Sequence, residues 1–140
     1  PPHHFASAWV ALDAVSDAQG RLEFVRGSHT WKNEDGTSQR FQPMDFPTMS
    51  PVDDHDWEHP EDPTLQRRGF LQLPDIQSSR ESYDIVSCDM CAGDALVFHG
   101  LTLHYSGGNK DLSQPRRAIS LRYCGSDARY TPRRKEIASG

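Results

Sequence analysis

No stretch of this chain carries the roughly 18 consecutive apolar residues that a membrane helix requires, so a helical span is excluded and no membrane partner is expected. The opening residues, PPHHFASAWVALD, lack the basic start and long apolar centre of a secretion signal, and a cytoplasmic protein is expected. Cysteine is scarce. Cys88, Cys91 and Cys124 are an odd number without a framework spacing, which argues against a disulfide-stapled secreted fold and for reduced thiols. Cys88 and Cys91 form C-x-x-C, but no helix start follows to lower a thiol pKa and no second ligand pair is present for zinc, so both are read as packing residues. There is no internal repeat, no low-complexity tract and no sustained 3.6-residue periodicity, which removes solenoids and helical bundles. A basic excess is also missing. The net charge is −5, whereas a general binder of nucleic acid offers Lys and Arg to phosphate, so neither a nucleic-acid partner nor a nucleic-acid demethylase is expected.

What remains is short and strand-like. At 140 residues the chain fits one domain with one modest core. SAWVALDAV and RLEFVRGSH are apolar or alternating runs separated by SDAQG, and that polar, glycine-containing break predicts a hairpin. YDIVSC, DALVFHG and RRAISLRYC are again rich in β-branched and aromatic residues, and are set apart by CAGD and SGGNKDLSQP. The class is all-β. Between about 30 and 80 the pattern gives way to Pro, Asp, Ser and Gln with scattered aromatics; a connection of that length in a compact domain reads as a lid or binding loop, with Phe41, Phe46, Trp57 and Phe70 packed across a barrel mouth. His55 and His59 within it have a spacing that would help only on a helix, and Pro60 follows at once, so they read as loop.

The segment GDALVFHGLTLHYSGGNKDLSQPRRAISLRY concentrates chemistry. Alternation puts Arg116, Ala118 and Ser120 on one face of their strand and Arg117, Ile119 and Leu121 on the other, so an arginine among small residues lines one side. The same rule puts His104 and Ser106 together, ahead of Gly107 and Gly108, where backbone approaches closely. Arginine's fork suits a carboxylate, and a neutral imidazole suits a divalent metal; a structural hydrogen-bonding histidine is the competing reading. Seven of the fifteen Lys and Arg residues fall within 116–135, so this end can face a small anion although the chain is acidic.

From SAWVALD through GRLEFVRGSHTW to the GD-x4-H-x4-H run and RRAIS, the chain resembles the phytanoyl-CoA dioxygenase family of iron(II)- and 2-oxoglutarate-dependent oxygenases. The resemblance implies a double-stranded β-helix, related to jelly rolls and cupins, as a single domain over 1–140 with the 30–80 insertion. It implies iron(II), 2-oxoglutarate and dioxygen, and hydroxylation of a C–H bond in a small molecule. By position it implies that His104, not His99, is the distal iron ligand. It further implies that Arg116 binds the far carboxylate of 2-oxoglutarate, and that Ser106 and Trp9 help to hold that co-substrate.

The family also uses an H-x-D motif for its other two ligands, and no H-x-D occurs in these 140 residues. His3-x-Phe5 fails the pattern, and His4-Phe5-Ala6, similar to the H-x-A of halogenases, lies too close to Trp9. The expectation is a domain incomplete at its amino end, with a single metal ligand, weak iron binding and open sheet edges that favour a homodimer. A non-catalytic module that binds a small carboxylate through Arg116 and Ser106 on the same fold is the alternative.

Overall fold

The computed structural model describes residues 5–41, 71–126 and 128. His3, His4, Phe46, His55, Trp57, His59, Phe70 and the basic residues from Arg129 onward lie outside them, as does most of the 30–80 insertion. The strands are β1 (Phe5–Ala11), β2 (Leu22–Val25), β3 (Ile85–Ser87), β4 (Ala95–His99), β5 (His104–Ser106) and β6 (Ala118–Cys124). Two short 3-10 turns, Ser28–Thr30 and Gln77–Ser82, interrupt the connections. Among the described residues no helix is long and apolar enough to cross a membrane.

The strands form two three-stranded antiparallel sheets, β4-β1-β6 and β3-β2-β5. This corrects the expected hairpin. β1 and β2 lie in different sheets, and SDAQG carries the chain from one to the other. Local composition marks where strands start and stop, whereas the choice of partner depends on long-range pairing that turn residues do not encode.

Directly opposed residues in an antiparallel pair share a face. Phe98 of β4 meets Phe24 of β2 edge to face at 4.9 Å between ring centroids, so the side of β4 bearing Phe98 looks at the second sheet. The register Ser7↔Phe98 and Ser7↔Arg122, then Trp9↔Leu96 and Trp9↔Ser120, places Ser7, Trp9, Leu96 and Ser120 on that inner side. The other face of the first sheet is open: Val97 is 72% exposed, Tyr123 57%, Ile119 46% and Leu121 42%.

The core gathers where β1 ends. Ala11, Val15 and Met90 are buried together, Trp9 and Leu96 pack against them, and Val15 and Met90 exchange both backbone hydrogen bonds at 2.9 Å. Fully burying a side chain of this size is worth about 1.5–3 kcal/mol, so this small cluster does much to hold the chain to one register. Met90 fills the core position that the C-x-x-C was expected to occupy. Cys88 and Cys91 themselves are exposed free thiols, as is Cys124, so their packing role is not found.

Charged clamps fix the ends of strands. Arg80 reaches Glu23 with both terminal nitrogens at 2.9 Å, tying the Gln77–Ser82 turn to β2. Arg117, just before β6, grips Asp13 through Nε at 3.0 Å, Nη2 at 2.7 Å and its backbone N–H at 2.8 Å. The Arg117 side-chain hydrogen bonds, then its backbone N–H, hold the Asp13 carboxyl below the usual aspartate range. A depressed carboxyl pKa stabilises the fold at pH values above the unfolded value of about 3.9 and ceases to do so as pH falls through the folded one. Thermal unfolding of Asp13→Asn is therefore expected at a lower temperature than wild type at pH 7, with the gap closing as pH drops below about 4; a gap that is constant with pH contradicts this account of the clamp.

Candidate functional site

Three of the four residues singled out in the sequence converge at one place. Arg116 precedes β6, Ser106 ends β5 and Trp9 sits in the middle of β1. Arg116 Nη2 donates to Ser106 Oγ at 3.0 Å, and its guanidinium carbon lies 5.1 Å from the Trp9 ring centroid. The guanidinium thus stacks on an aromatic face on the inner side of the first sheet and is oriented by a hydroxyl from the second. Partial burial pushes its pKa below the usual arginine value, yet the group stays cationic at any physiological pH.

What surrounds Arg116 is as informative as what touches it. Its neighbour Arg117 is fully engaged by Asp13, and the other ion pairs of the described residues belong to Arg21, Arg26, Arg80 and Lys110. Arg116 has no carboxylate among them, and its Nε is buried without a hydrogen-bond partner. An unsatisfied buried donor costs about 1–3 kcal/mol, more when charged. A planar cation with an unpaired edge, half withdrawn from water, has the chemistry of a carboxylate receptor.

His104 lies two residues before Ser106 on β5, and alternation gives both side chains the same face. Its ring is flanked by Phe98 at 4.9 Å and Phe24 at 6.1 Å, the pair that bridges the two sheets. The backbone also sets its tautomer. His104 Nδ1 lies 2.9 Å from Thr102 O, and because a carbonyl only accepts, Nδ1 carries the proton and Nε2 presents a lone pair. His99 is the reverse: the Leu101 N–H donates to its Nδ1 at 3.1 Å, so in the neutral ring the proton sits on Nε2. Metal-bound histidines characteristically donate the non-ligating N–H to a carbonyl or carboxylate, an arrangement that His104 has through Thr102 O.

His104 fits a metal ligand in tautomer and exposure, but one monodentate ligand makes no site, and among the described residues no three His, Cys, Asp or Glu side chains cluster as a metal would require. Two structural contributors were not singled out in the sequence. Ser28 of the GSH segment is buried and accepts from the Leu103 N–H at 2.9 Å, which pins the strand next to His104. Gly20 supplies a carbonyl to Ser106 Oγ at 2.7 Å. A glycine ending a polar break was the one signal for the second, and it pointed to a turn rather than to a site.

The chain matches the family model Phytanoyl-CoA dioxygenase (PhyH) over residues 1–118, most of its length, and belongs to that family. No curated protein is a match to it. Among solved structures it is similar to SnoK, a non-heme alpha ketoglutarate dependent carbocyclase from nogalamycin biosynthesis, with TM-score 0.59 and 23% identity over 94% of this chain and 43% of that one. It is similar to the epimerase SnoN in complex with Fe3+, alpha ketoglutarate and nogalamycin RO, with TM-score 0.56, 25% identity, and coverage of 94% and 44%. It is also similar to EvdO2 from Micromonospora carbonacea var. aurantiaca complexed with 2-oxoglutarate, with TM-score 0.50, 23% identity, and coverage of 91% and 42%. The fold is that of the jelly-roll oxygenases, a double-stranded β-helix, and the chain spans less than half the length of these structures.

The tautomers give a direct check of the site. In long-range 1H–15N spectra near neutral pH, the neutral form of His104 is expected to show a protonated Nδ1 and that of His99 a protonated Nε2. The opposite pattern at His104 removes it as a ready Nε2 ligand.

Proposed function

We propose that the chain is part of an iron(II)- and 2-oxoglutarate-dependent oxygenase that hydroxylates a C–H bond of a small molecule. The observation that carries this reading is the half-buried Arg116 guanidinium, paired with no carboxylate among the described residues and hydrogen-bonded to Ser106, which lies one strand step from the exposed His104. Alternate residues on a strand are about 7 Å apart, a separation on the scale of a five-carbon diacid with bonds of about 1.5 Å. A 2-oxo dicarboxylate anchored at Arg116 by its far carboxylate would carry its keto end toward His104. Family membership and the 2-oxoglutarate held by the SnoN and EvdO2 structures point the same way.

Each residue then has a role. Arg116 neutralises and orients the far carboxylate, Trp9 holds the guanidinium plane, and Phe24 and Phe98 wall the histidine with apolar surface that limits water. His104 would be one ligand of the iron. When bound, the metal supplies the activation of dioxygen and the oxidative decarboxylation of 2-oxoglutarate that the side chains cannot perform. The prime substrate would be selected in part by the 30–80 insertion. The exposed free thiols suit a reducing compartment, and a cytoplasmic location is part of this proposal.

One observation favours a second reading. Arg116 and Ser106 are joined by a hydrogen bond without help from any metal-ligating group, which supports a module that binds a small carboxylate through these two residues. An anaerobic titration of the chain with iron(II) and 2-oxoglutarate separates the two. A visible charge-transfer absorption that is lost in both Arg116→Ala and His104→Ala supports the oxygenase. Metal-independent 2-oxoglutarate binding without absorption supports the module. Under either reading Arg116→Ala weakens 2-oxoglutarate binding by about 10- to 100-fold, the worth of a charge-assisted pair; unchanged binding sinks both.

A further inference from the structure

β6 leaves one margin of the first sheet open. The order β4-β1-β6 puts it at the edge, each of its seven residues is exposed, and among the described residues no segment besides β1 forms a ladder with it. It is also the longest of the edge strands, since β3 and β5 have three residues and β4 has five. Proline, bulges and charges are the usual defences of such an edge. The run AISLRYC pairs with β1 without a break and carries one charge, Arg122.

The register with β1 decides which backbone groups face outward. Leu12 N–H donates to Arg117 O at 2.9 Å, and bonding alternates along an antiparallel ladder, so Ile119, Leu121 and Tyr123 turn their N–H and C=O toward β1. Ala118, Ser120, Arg122 and Cys124 turn theirs away. These four lie symmetrically about Leu121. A second copy running antiparallel, with Leu121 on the two-fold axis, pairs Ala118 with the partner's Cys124 and Ser120 with the partner's Arg122, so that every outward N–H and C=O of the strand is satisfied. A register one step away sets outward groups against inward ones, and one two steps away leaves strand ends unpaired.

The side chains agree with that register. On the outer face Ile119 meets the partner's Tyr123 and the two Leu121 side chains meet on the axis, in non-hydrogen-bonded pairs where side chains come closest. Aromatic and β-branched residues pair favourably across strands, and the single chain leaves these three side chains uncovered. Arg122 faces a serine, and the two copies of Arg122 are diagonal neighbours about 7–8 Å apart, exposed to water that screens them.

We propose that β6 pairs with β6 of a second copy of this chain in this register, joining two three-stranded sheets into one of order β4-β1-β6-β6-β1-β4. The contact is isologous and closes on itself, which gives a dimer and not a fibre. It gives the expected homodimer a surface, and it stands independently of what Arg116 binds.

Sedimentation of the 140-residue chain over a range of concentrations, under reducing conditions, tests this. The wild type is expected to pass from monomer to dimer below about 1 mM, as suits a small interface. Two variants are expected to move that transition at least 10-fold higher: Ser120→Pro, which removes an N–H that only the partner uses, and Leu121→Lys, which puts like charges on the axis. A chain that stays monomeric, or that dimerises equally well in both variants, overturns the proposal. A cross-link reads the register. In a background with Cys88, Cys91 and Cys124 changed to Ser, Leu121→Cys sets two thiols across a pair whose Cα atoms are about 4.5 Å apart, within the reach of a disulfide. With glutathione disulfide as oxidant it is expected to form covalent dimer at least 10-fold faster than Val97→Cys, which is exposed on β4 of the same face. Equal rates at the two positions contradict the pairing of β6 with itself.

Discussion

Antiparallel pairing on both edges of β1 fixes two strands at once, because each residue from Ala6 to Val10 has a defined partner on β4 and on β6. A slip of one residue on either side would turn Trp9 away from the second sheet and send Ser120 or Leu96 to the outer face. The position of Arg116 follows from that register, since β6 begins opposite Ala11 and the Asp13 clamp holds the residue before it. β1 therefore sets the position of a guanidinium that comes more than a hundred residues later.

The Arg116 guanidinium is held in place against its own electrostatics. Withdrawing a guanidinium from water while leaving one N–H unpaired is unfavourable, and the Trp9 face offsets part of that by about 0.5–2 kcal/mol. The remainder is carried by packing that has nothing to do with the ligand, chiefly the Ala11, Val15 and Met90 cluster beside Trp9. Strain of this kind is characteristic of binding sites, where rigidity supplied elsewhere keeps a group ready for a partner.

Much of this site was legible in the sequence because strand alternation is a strict geometric rule. Once residues 104–106 and 116–121 read as strand-like, the facing of His104 with Ser106 followed, as did the separation of Arg116 from Arg117, and the two arginines do have different fates. Three things were not legible. The pairing of β1 with β4 and β6, and not with β2, depends on contacts far apart in sequence. The exposure of Cys88 and Cys91 arises because Met90 between them takes the core position, and alternation by itself does not say which parity points inward. The part played by Gly20 comes from a main-chain oxygen, which every residue possesses and no residue code distinguishes. The choice between His104 and His99 came from family resemblance alone, because strand alternation says nothing about which of two histidines on neighbouring strands would hold a metal.

The contact between Gly20 and Gly108 also bears on how such a sequence can drift over time. A Cβ on Gly20 would meet the backbone of Gly108, whereas one on Gly108 would meet open space, so Gly20 cannot change until the other segment's backbone has moved while Gly108 is held only by its own φ of +77°. Loop 107–114 is then free to vary in composition while its distance from the turn at 17–20 stays fixed. Variation in this part of the molecule is expected to run along the loop, in its charges and its length beyond Asp111, and to stop at the point where the two chain segments touch.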